Sequence, residues 1–190
     1  MRIVGGTFRG LKLADVGAGD AAAHLRPTSD RVRESMFNLL INGANAIPMD
    51  GIRVLDLFAG TGALGLEALS RGASFACFID DGASARALLR ENIEKMRAMG
   101  RTKVFRRDAT TLGANHGAGF DLVFLDPPYG KGFGATALAS ARAGGWLKPG
   151  ARVVWEESLP QPAPEGFTLI DQRRYGDTYV TMMEYNPNDA

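Results

Sequence analysis

The sequence predicts an α/β protein built on a mostly parallel sheet. From residue 52 onward, short apolar runs alternate with segments of helical periodicity. Parallel strands need connections of a dozen or more residues, which helices usually supply. A glycine-rich turn joins the first apolar run to the first of these helices. The predicted strands cover residues 52–58, 75–80, 103–106, 120–126 and 151–156, and the predicted helices between them cover residues 63–71, 83–99 and 134–144.

The two ends of the chain add smaller elements to this fold. An amphipathic helix is predicted to begin near Asp30 and to end near Gly43, and a loop of small residues, 15–23, precedes it. Two apolar runs, residues 167–171 and 179–185, flank the polar residues 173–177 and predict a closing antiparallel hairpin. We therefore expect a Rossmann-like fold of seven strands. Residues 1–43 would form an N-terminal extension and residues 44–190 the main domain.

The composition excludes several other classes of protein. Of the 190 residues, 45% are hydrophobic and 23% are charged, which is typical of a globular domain and not of a disordered chain or a coiled coil. One cysteine cannot form a disulfide framework or a cysteine-rich zinc module, and it fits a reducing cytoplasm, where we expect the protein to work. No apolar stretch approaches the roughly 18 residues of a membrane span. The two histidines, His24 and His116, lack ligand spacing, so no metal site is expected.

The glycine-rich turn has the pattern of a nucleotide-binding loop. Gly60, Gly62 and Gly65 spell G-x-G-x-x-G between a strand and a helix, where glycines let the backbone approach a ligand. The pattern alone also fits a nicotinamide oxidoreductase. Asp56, however, lies four residues before the first glycine and would repel a pyrophosphate, whereas it would attract the sulfonium and ammonium groups of S-adenosylmethionine. The charges therefore favour S-adenosylmethionine as the cofactor.

Two further acids follow the next two predicted strands. Asp80 ends the second strand and can accept the ribose hydroxyls, and Asp108 follows the third strand and suits an adenine amine. Asp81, next to Asp80, is expected to cap the following helix. Three acids after three successive strands are more specific than the glycines alone. The predicted cofactor-binding residues are Asp56, Phe58, Ala59, Gly60, Gly62, Asp80, Asp108 and Ala109.

The fourth predicted strand ends in Asp126-Pro127-Pro128-Tyr129, which we interpret as the catalytic motif. The prolines fix the backbone dihedral φ and remove two N–H donors, so the segment is rigid. An exocyclic amine of a nucleobase is a poor nucleophile, and the Asp126 carboxylate with the Pro127 carbonyl could accept its two N–H groups. Tyr129 could stack on the flipped base, and Asp126 could take the proton released as nitrogen becomes cationic.

These motifs together resemble the RsmD family, class I S-adenosylmethionine-dependent methyltransferases that modify guanine N2 in bacterial small-subunit (16S) ribosomal RNA. The resemblance rests on residues 2–6, 9–10, 12–13, 26–38, 56–71 and 126–129. It implies methyl transfer to a guanosine of assembling or assembled small subunits. One departure concerns the second strand, where the family usually has Glu and a second acid two residues later, whereas this chain has Asp80 and Gly82.

Two alternatives remain open at the level of sequence. The Asp-Pro-Pro-Tyr motif also resembles that of adenine-N6 DNA methyltransferases, from which the block at residues 26–38 distinguishes this chain. A non-catalytic RNA-binding protein could also keep a methyltransferase fold. Product nucleoside analysis separates the first alternative, and RNA binding without turnover would indicate the second. The sequence indicates no obligate protein partner.

RNA contacts are expected mainly near the N-terminus. Residues 1–33 contain six basic side chains against Asp15, Asp20 and Asp30, among glycines that permit close approach to phosphate. A second basic stretch, residues 86–107, is what the solvated face of an amphipathic helix requires in any case, with Arg86, Arg90 and Arg97 on one face. The predicted substrate-binding residues are Arg2, Arg9, Lys12, Arg26, Thr28, Arg31, Arg33 and Pro128.

Overall fold

The computed structural model describes residues 1–15 and 28–188. Arg26, His24 and most of the 15–23 loop lie outside these described residues. Within them, strands and helices alternate through the central part of the chain, as the periodicity predicts. The helices are α1 (Asp30–Asn42), α2 (Ala63–Ser70), α3 (Ala83–Lys95) and α4 (Phe133–Ala143). The strands are β1 (Arg53–Leu57), β2 (Phe75–Ile79), β3 (Thr102–Phe105), β4 (Phe120–Leu125), β5 (Leu147–Glu157), β6 (Phe167–Tyr175) and β7 (Thr178–Tyr185).

The described strands form a seven-stranded sheet in the order β3-β2-β1-β4-β5-β7-β6. Strands β1 to β5 pair in parallel, and β7 pairs antiparallel with both β5 and β6, which confirms the predicted closing hairpin. The order reverses between β1 and β4, since β2 lies on one side of β1 and β4 on the other. In open α/β sheets such a switch point leaves a crevice at the carboxyl ends of the strands. Asp56 of β1 lies in register with Phe124 of β4 beside this crevice.

The N-terminal segment, residues 1–13, folds back on itself and joins the apolar core beside the sheet. Arg2 and Lys12 form an antiparallel bridge, and the Ile3 N–H donates to the Leu11 carbonyl at 2.9 Å. Ile3 and Leu13 are buried in the same apolar cluster as residues of α1, α2 and the sheet. Residues 1–13 and α1 therefore pack on the same side of the sheet as α2.

Three predicted boundaries are wrong. Helix α3 ends at Lys95 because Arg97 adopts a left-handed conformation, with φ of 52°. Strand β5 begins earlier, at Leu147, with a register irregularity against β4. Strand β6 extends to Tyr175, so Arg173 and Arg174 lie in the strand and not in the hairpin turn. Among the described residues, no helix is both long and apolar enough to cross a membrane.

Candidate active site

The carboxyl ends of β1, β2, β3 and β4 border a cavity of about 330 Å³. The cavity brings together Asp56, Asp80, Asp108 and Asp126, the four acids that the sequence predicts to follow or end these strands. The other predicted residues that line it are Phe58, Ala59, Gly60, Thr28 and Pro128. Gly62, Ala109, Pro127 and Tyr129 are not part of its lining, although each lies next to a residue that is.

Asp56 is the most buried of the four acids, with 1% of its surface exposed. Its Oδ2 accepts a hydrogen bond from the backbone N–H of Gly65 at 3.0 Å. The pKa of the Asp56 carboxyl is raised to about 8, mainly because the group is buried. The nearby charge of Asp80 also raises this pKa, and the hydrogen bond from the Gly65 N–H lowers it. The cavity therefore contains a desolvated carboxyl whose ionised form a bound cation would stabilise.

The glycine-rich turn is shaped by close packing and by left-handed backbone. Gly62 has φ of 80°, and a Cβ there would lie 2.3 Å from Leu89 Cδ1. A Cβ on Gly65 would lie 2.5 Å from Phe78 Cε1 and 3.1 Å from Asp56 Oδ2. Phe58, directly after β1, also has a positive φ of 56°, which is uncommon for a residue with a side chain. The turn thus brings α2 close to the sheet and to the Asp56 carboxyl.

Asp80 organises the loop after β2 through both of its carboxylate oxygens. Its Oδ2 accepts from the Gly60 N–H and its Oδ1 from the Gly82 N–H, each at 2.8 Å. Burial raises the pKa of Asp80 above its usual range, against the lowering effect of these two N–H groups. A Cβ at Gly82 would lie 3.1 Å from Asp80 Oδ1, so the glycine gives this carboxylate room. The residue that departs from the family pattern therefore supports the loop on which Asp80 lies.

Two expectations about the neighbours of Asp80 are wrong. Asp81 does not cap α3, because the helix begins after Gly82 without a side-chain cap, and Asp81 lines the cavity instead. The sequence predicts Arg86 on the solvated face of this helix, but only 8% of its surface is exposed. Its Nη1 donates to the Asp80 carbonyl at 3.3 Å, so it supports the loop after β2.

Asp108 stands at the start of a short 3₁₀ turn after β3. Its Oδ1 accepts hydrogen bonds from the Thr110 N–H at 2.8 Å and from the Thr110 hydroxyl at 2.7 Å. Asp108 is exposed and Ala109 is buried. Asp108 and Thr110 line the cavity, whereas Ala109 packs in the core on the α4 side of the sheet. The loop after β3 thus contributes two polar residues, Asp108 and Thr110, to the lining of the cavity.

The Asp126-Pro127-Pro128-Tyr129 segment is held by the two strands beyond β4. The Tyr129 hydroxyl lies 3.2 Å from the Thr178 hydroxyl at the start of β7. At the carboxyl end of β5, Glu157 Oε1 accepts from the Gly130 N–H at 3.2 Å. These contacts fix the segment from the side opposite the glycine-rich turn. Asp126 therefore lies between the glycine-rich turn after β1 and the end of β5.

Most of the described side chains that are predicted to contact RNA lie on the surface. Arg9, Lys12 and Arg31 are exposed. The Arg2 side chain is 68% exposed and pairs with Asp30 at 3.4 Å. Thr28, which lines the cavity, donates to Glu156 Oε2 at 3.0 Å and so joins the start of α1 to β5. These side chains are accessible to a large substrate, and of them only Thr28 lines the cavity.

Arg33 contradicts the prediction that it contacts RNA. None of its surface is exposed, and its Nε pairs with Glu67 of α2 at 3.3 Å. Its Nη2 pairs with Asp30 at 2.9 Å, and its guanidinium also donates to the carbonyls of Thr28 and Arg2. The side chain ties the N-terminal segment and α1 to α2, and this role leaves no surface for a nucleic acid.

Sequence reasoning misses several residues that build the site. Phe133, at the start of α4, lines the cavity and is 39% exposed. Asn92 of α3 is fully buried, and its amide donates to the carbonyls of Thr61 in the glycine-rich turn and Ala14 in the N-terminal segment. The sequence marks Asn92 only as a polar residue beside the apolar positions of an amphipathic helix, and nothing in the sequence marks Phe133 as part of the site.

The sequence of this chain is similar to those of known proteins over most of its length. Residues 1–184 match the family described as conserved hypothetical protein 95. Over 164 residues the chain is 37% identical to ribosomal RNA small subunit methyltransferase D of Escherichia coli K12, which covers 86% of this chain and 78% of that protein. The protein of the same name from Haemophilus influenzae is 32% identical over 181 residues, 93% of this chain and 89% of the relative.

Solved structures agree with these sequence relationships. The Escherichia coli protein yhhF superposes with a TM-score of 0.82 at 32% identity, covering 98% of each chain. A protein of Thermus thermophilus superposes with a TM-score of 0.68 at 28% identity, covering 96% of this chain and 98% of the other. The fold is that of the class I methyltransferases. With its sheet order, its cavity at the switch point and a match over nearly its whole length, the chain belongs to the RsmD family of methyltransferases.

Proposed function

We propose that this protein transfers a methyl group from S-adenosylmethionine to the exocyclic N2 of a guanosine in small-subunit ribosomal RNA. The observation that carries the reaction type is the position of Asp126 on the same cavity as Asp56, Asp80 and Asp108. The ribosomal substrate is supported by the names of the relatives from Escherichia coli and Haemophilus influenzae. The N2 position is supported by the resemblance in residues 26–38. Such a substrate also implies that the protein works in the cytoplasm.

The residues of the cavity fit S-adenosylmethionine. A desolvated carboxyl at Asp56 suits the ammonium group, and Asp80 suits the ribose hydroxyls through the lone pairs that its two N–H partners leave. Asp108 suits the adenine amine. A cavity of about 330 Å³ lies in the range for small-molecule sites, roughly 300–1,000 Å³. When bound, the cofactor supplies an electrophilic methyl group on a sulfonium.

The acceptor side depends on Asp126 and its rigid neighbours. The carboxylate of Asp126 accepts N–H groups of the exocyclic amine, which keeps the nitrogen lone pair directed at the cavity. Two prolines after Asp126 hold this geometry without backbone N–H groups that would compete. As the nitrogen becomes cationic, Asp126 stabilises the charge and accepts the proton. Tyr129, fixed by Thr178, stacks on the flipped guanine.

The N-terminal extension, residues 1–43, is proposed to contact the RNA around the target. Arg2, Arg9, Lys12 and Arg31 are exposed cations of this extension, and Thr28 lies at the cavity itself. Arg33 is excluded from this set because it is buried. Phosphate contacts of this kind position a nucleic acid without reading its sequence.

The test is label transfer from radioactive S-adenosylmethionine to small subunits, or to their naked RNA, from cells that lack their own enzyme. After digestion to nucleosides, we expect the label in N2-methylguanosine. Label in N6-methyladenosine, or transfer to DNA alone, would contradict the proposal. RNA and cofactor binding without label would indicate a non-catalytic relative.

The variant Asp126→Asn tests the mechanism in the same assay. It keeps the shape and one acceptor oxygen but removes the negative charge, so we expect transfer to fall by about 10²–10⁴-fold, the usual contribution of a positioned acid or base. Cofactor binding and the melting temperature should match those of the parent protein. Asp177→Asn, in the exposed hairpin turn, is the matched control and should keep parent activity. Near-parent transfer by Asp126→Asn would refute the role of this carboxylate.

A further inference from the structure

The positive charge of this protein is concentrated at one edge of its sheet. Residues 95–107 hold six of the 22 lysines and arginines and no Asp or Glu. Since the whole chain has a formal net charge of +1, all other residues together carry a net charge of −5. This segment runs from the end of α3 through β3, which is the outermost strand on its side of the sheet.

Five of these side chains form what we call the basic edge: Arg97, Arg101, Lys103, Arg106 and Arg107. All five are exposed or half-buried, and within the described residues none of them forms an ion pair. Lys95, by contrast, pairs with Glu91 at 3.4 Å. A solvated helix face usually alternates both signs of charge, as Glu91 and Lys95 do, whereas the basic edge presents one sign only.

Aromatic contacts hold part of the basic edge in place. The Lys103 Nζ lies 4.6 Å from the centroid of the Phe105 ring, and the Arg107 Cζ lies 4.5 Å from the same centroid. Arg107 also lies 5.8 Å from the Trp146 ring and donates to the Leu112 carbonyl at 2.9 Å. A cation held over a ring loses less conformational entropy when it binds a partner, which favours a binding surface over mobile surface charge.

The basic edge leads directly to the candidate active site. Arg106 and Arg107 immediately precede Asp108, which lines the cavity. Strands β2 and β1 separate β3 from β4, so at about 4.8 Å per strand Arg106 and Arg107, at the carboxyl end of β3, lie about 14 Å from the end of β4, which Asp126 follows. The other members of the basic edge lie nearer the amino end of β3. A folded RNA that delivers one nucleotide to Asp126 has flanking backbone within this distance.

We propose that the basic edge binds the phosphate backbone of the RNA that flanks the target nucleotide. The surface is separate from the N-terminal extension, and the proposal rests on the proposed function because it takes RNA as the substrate. Backbone contacts of this kind contribute affinity and salt dependence without sequence specificity. A purely protective role is the competing explanation, since charged side chains on an edge strand also prevent pairing with another chain.

The test variant is Lys103→Gln/Arg106→Gln, which removes two exposed cations of the basic edge. Arg107 is left intact because it contacts Leu112 and Trp146. The matched control is Arg142→Gln/Lys148→Gln, which removes the same charge from two residues that pair with Glu165 and Asp121 elsewhere. Binding to the small-subunit RNA is measured between 50 and 200 mM salt (roughly the range over which phosphate contacts are titrated).

We expect the test variant to weaken RNA binding by about tenfold or more at low salt, and to reduce the slope of log affinity against log salt by about 1.4–1.8. The KM for RNA should rise, while kcat and cofactor affinity stay at the parent values. The control should keep the parent slope. If the test variant keeps the slope of the parent protein, whether or not it becomes less soluble, the role of the basic edge is overturned and the proposed function still stands. If the parent protein neither binds nor methylates RNA, the proposed function fails and this proposal fails with it.

Discussion

The guanidinium of Arg33 in α1 and the carboxylate of Glu67 in α2 form an ion pair that is shielded from water. Their separation is 3.3 Å, and neither side chain has exposed surface. Glu67 also pairs with Arg71 at 2.9 Å and accepts the N–H groups of Val4 and Gly5 at 2.8 and 2.9 Å. One carboxylate thus fastens the N-terminal segment and α1 to the helix that follows the glycine-rich turn.

Replacing Glu67 by Gln should destabilise the protein strongly. The change leaves Arg33 buried without this counter-ion, and removal of one partner of a buried pair typically costs about 3–5 kcal/mol. Urea unfolding followed by circular dichroism measures the change. The control Glu91→Gln breaks the exposed pair with Lys95 and should cost less than about 1 kcal/mol. Equal stabilities for the two variants would show that the Glu67 network contributes little.

The burial of Arg33 also shows where sequence reasoning fails. The block around it is rich in arginines beside a helix start, and only the helical spacing of Arg33 with the buried Met36, Phe37 and Leu40 separates it from the exposed Arg31. Its burial depends on Glu67, 34 residues later in the chain. The link from Tyr129 to Thr178 spans 49 residues and has no local signal either. Contacts between distant residues can be inferred only when the sheet order is known.

The elements that the sequence predicts correctly have local causes. Apolar runs of strand length and the glycines of the turn depend on near neighbours in sequence, so they predict β1, the turn and α2. The placement of Asp56, Asp80, Asp108 and Asp126 on one cavity follows from a further rule, since carboxyl ends of parallel strands meet at one edge. The same rule gives no information on the 3₁₀ turns or on the length of β6.

Gly65→Ala should disturb both stability and cofactor binding. The new Cβ would lie 2.5 Å from the ring of Phe78, a fully buried residue, and 3.1 Å from Asp56 Oδ2. Overpacking of this kind costs about 1–3 kcal/mol. Urea unfolding and calorimetric titration with S-adenosylmethionine measure the two effects. Gly100→Ala is the control, because a Cβ there meets nothing within 4 Å, and parent-like behaviour of both variants would contradict the packing explanation.

The affinity for S-adenosylmethionine should increase with pH up to about 8. Burial raises the pKa of Asp56 from 3.8 to about 8, so the carboxyl is mostly protonated in the cofactor-free protein at neutral pH. A bound cation favours the ionised form, and Kd should therefore fall by up to about tenfold per pH unit below this pKa. Binding should also release a proton, detected by calorimetry in buffers with different ionisation enthalpies. A Kd independent of pH would contradict this role of Asp56.

The same group affects the stability of the cofactor-free protein. An acid whose pKa is higher in the folded state binds more protons there than in the unfolded state, so the free energy of unfolding decreases as pH rises between about 4 and 8. Asp56→Asn keeps an oxygen for the Gly65 N–H but has no titrating proton. We expect its stability, measured by urea unfolding at a series of pH values, to depend less on pH over this window. Its affinity for the cofactor should be low at every pH.

The hydroxyl pair of Tyr129 and Thr178 should act as a unit in RNA turnover. Tyr129→Phe and Thr178→Val each remove the same 3.2 Å contact, and a hydrogen bond contributes about 0.5–1.5 kcal/mol, so each should lower kcat/KM for RNA by about two- to tenfold. The double variant should be no worse than either single one, because one interaction cannot be lost twice.

Tyr129→Ala also removes the stacking ring and should lower kcat/KM further, by roughly a factor of ten, since stacking contributes about 1–3 kcal/mol per base. Cofactor affinity should stay constant throughout, because Tyr129 does not line the cavity. Additive losses in the double variant would show that the two hydroxyls act independently.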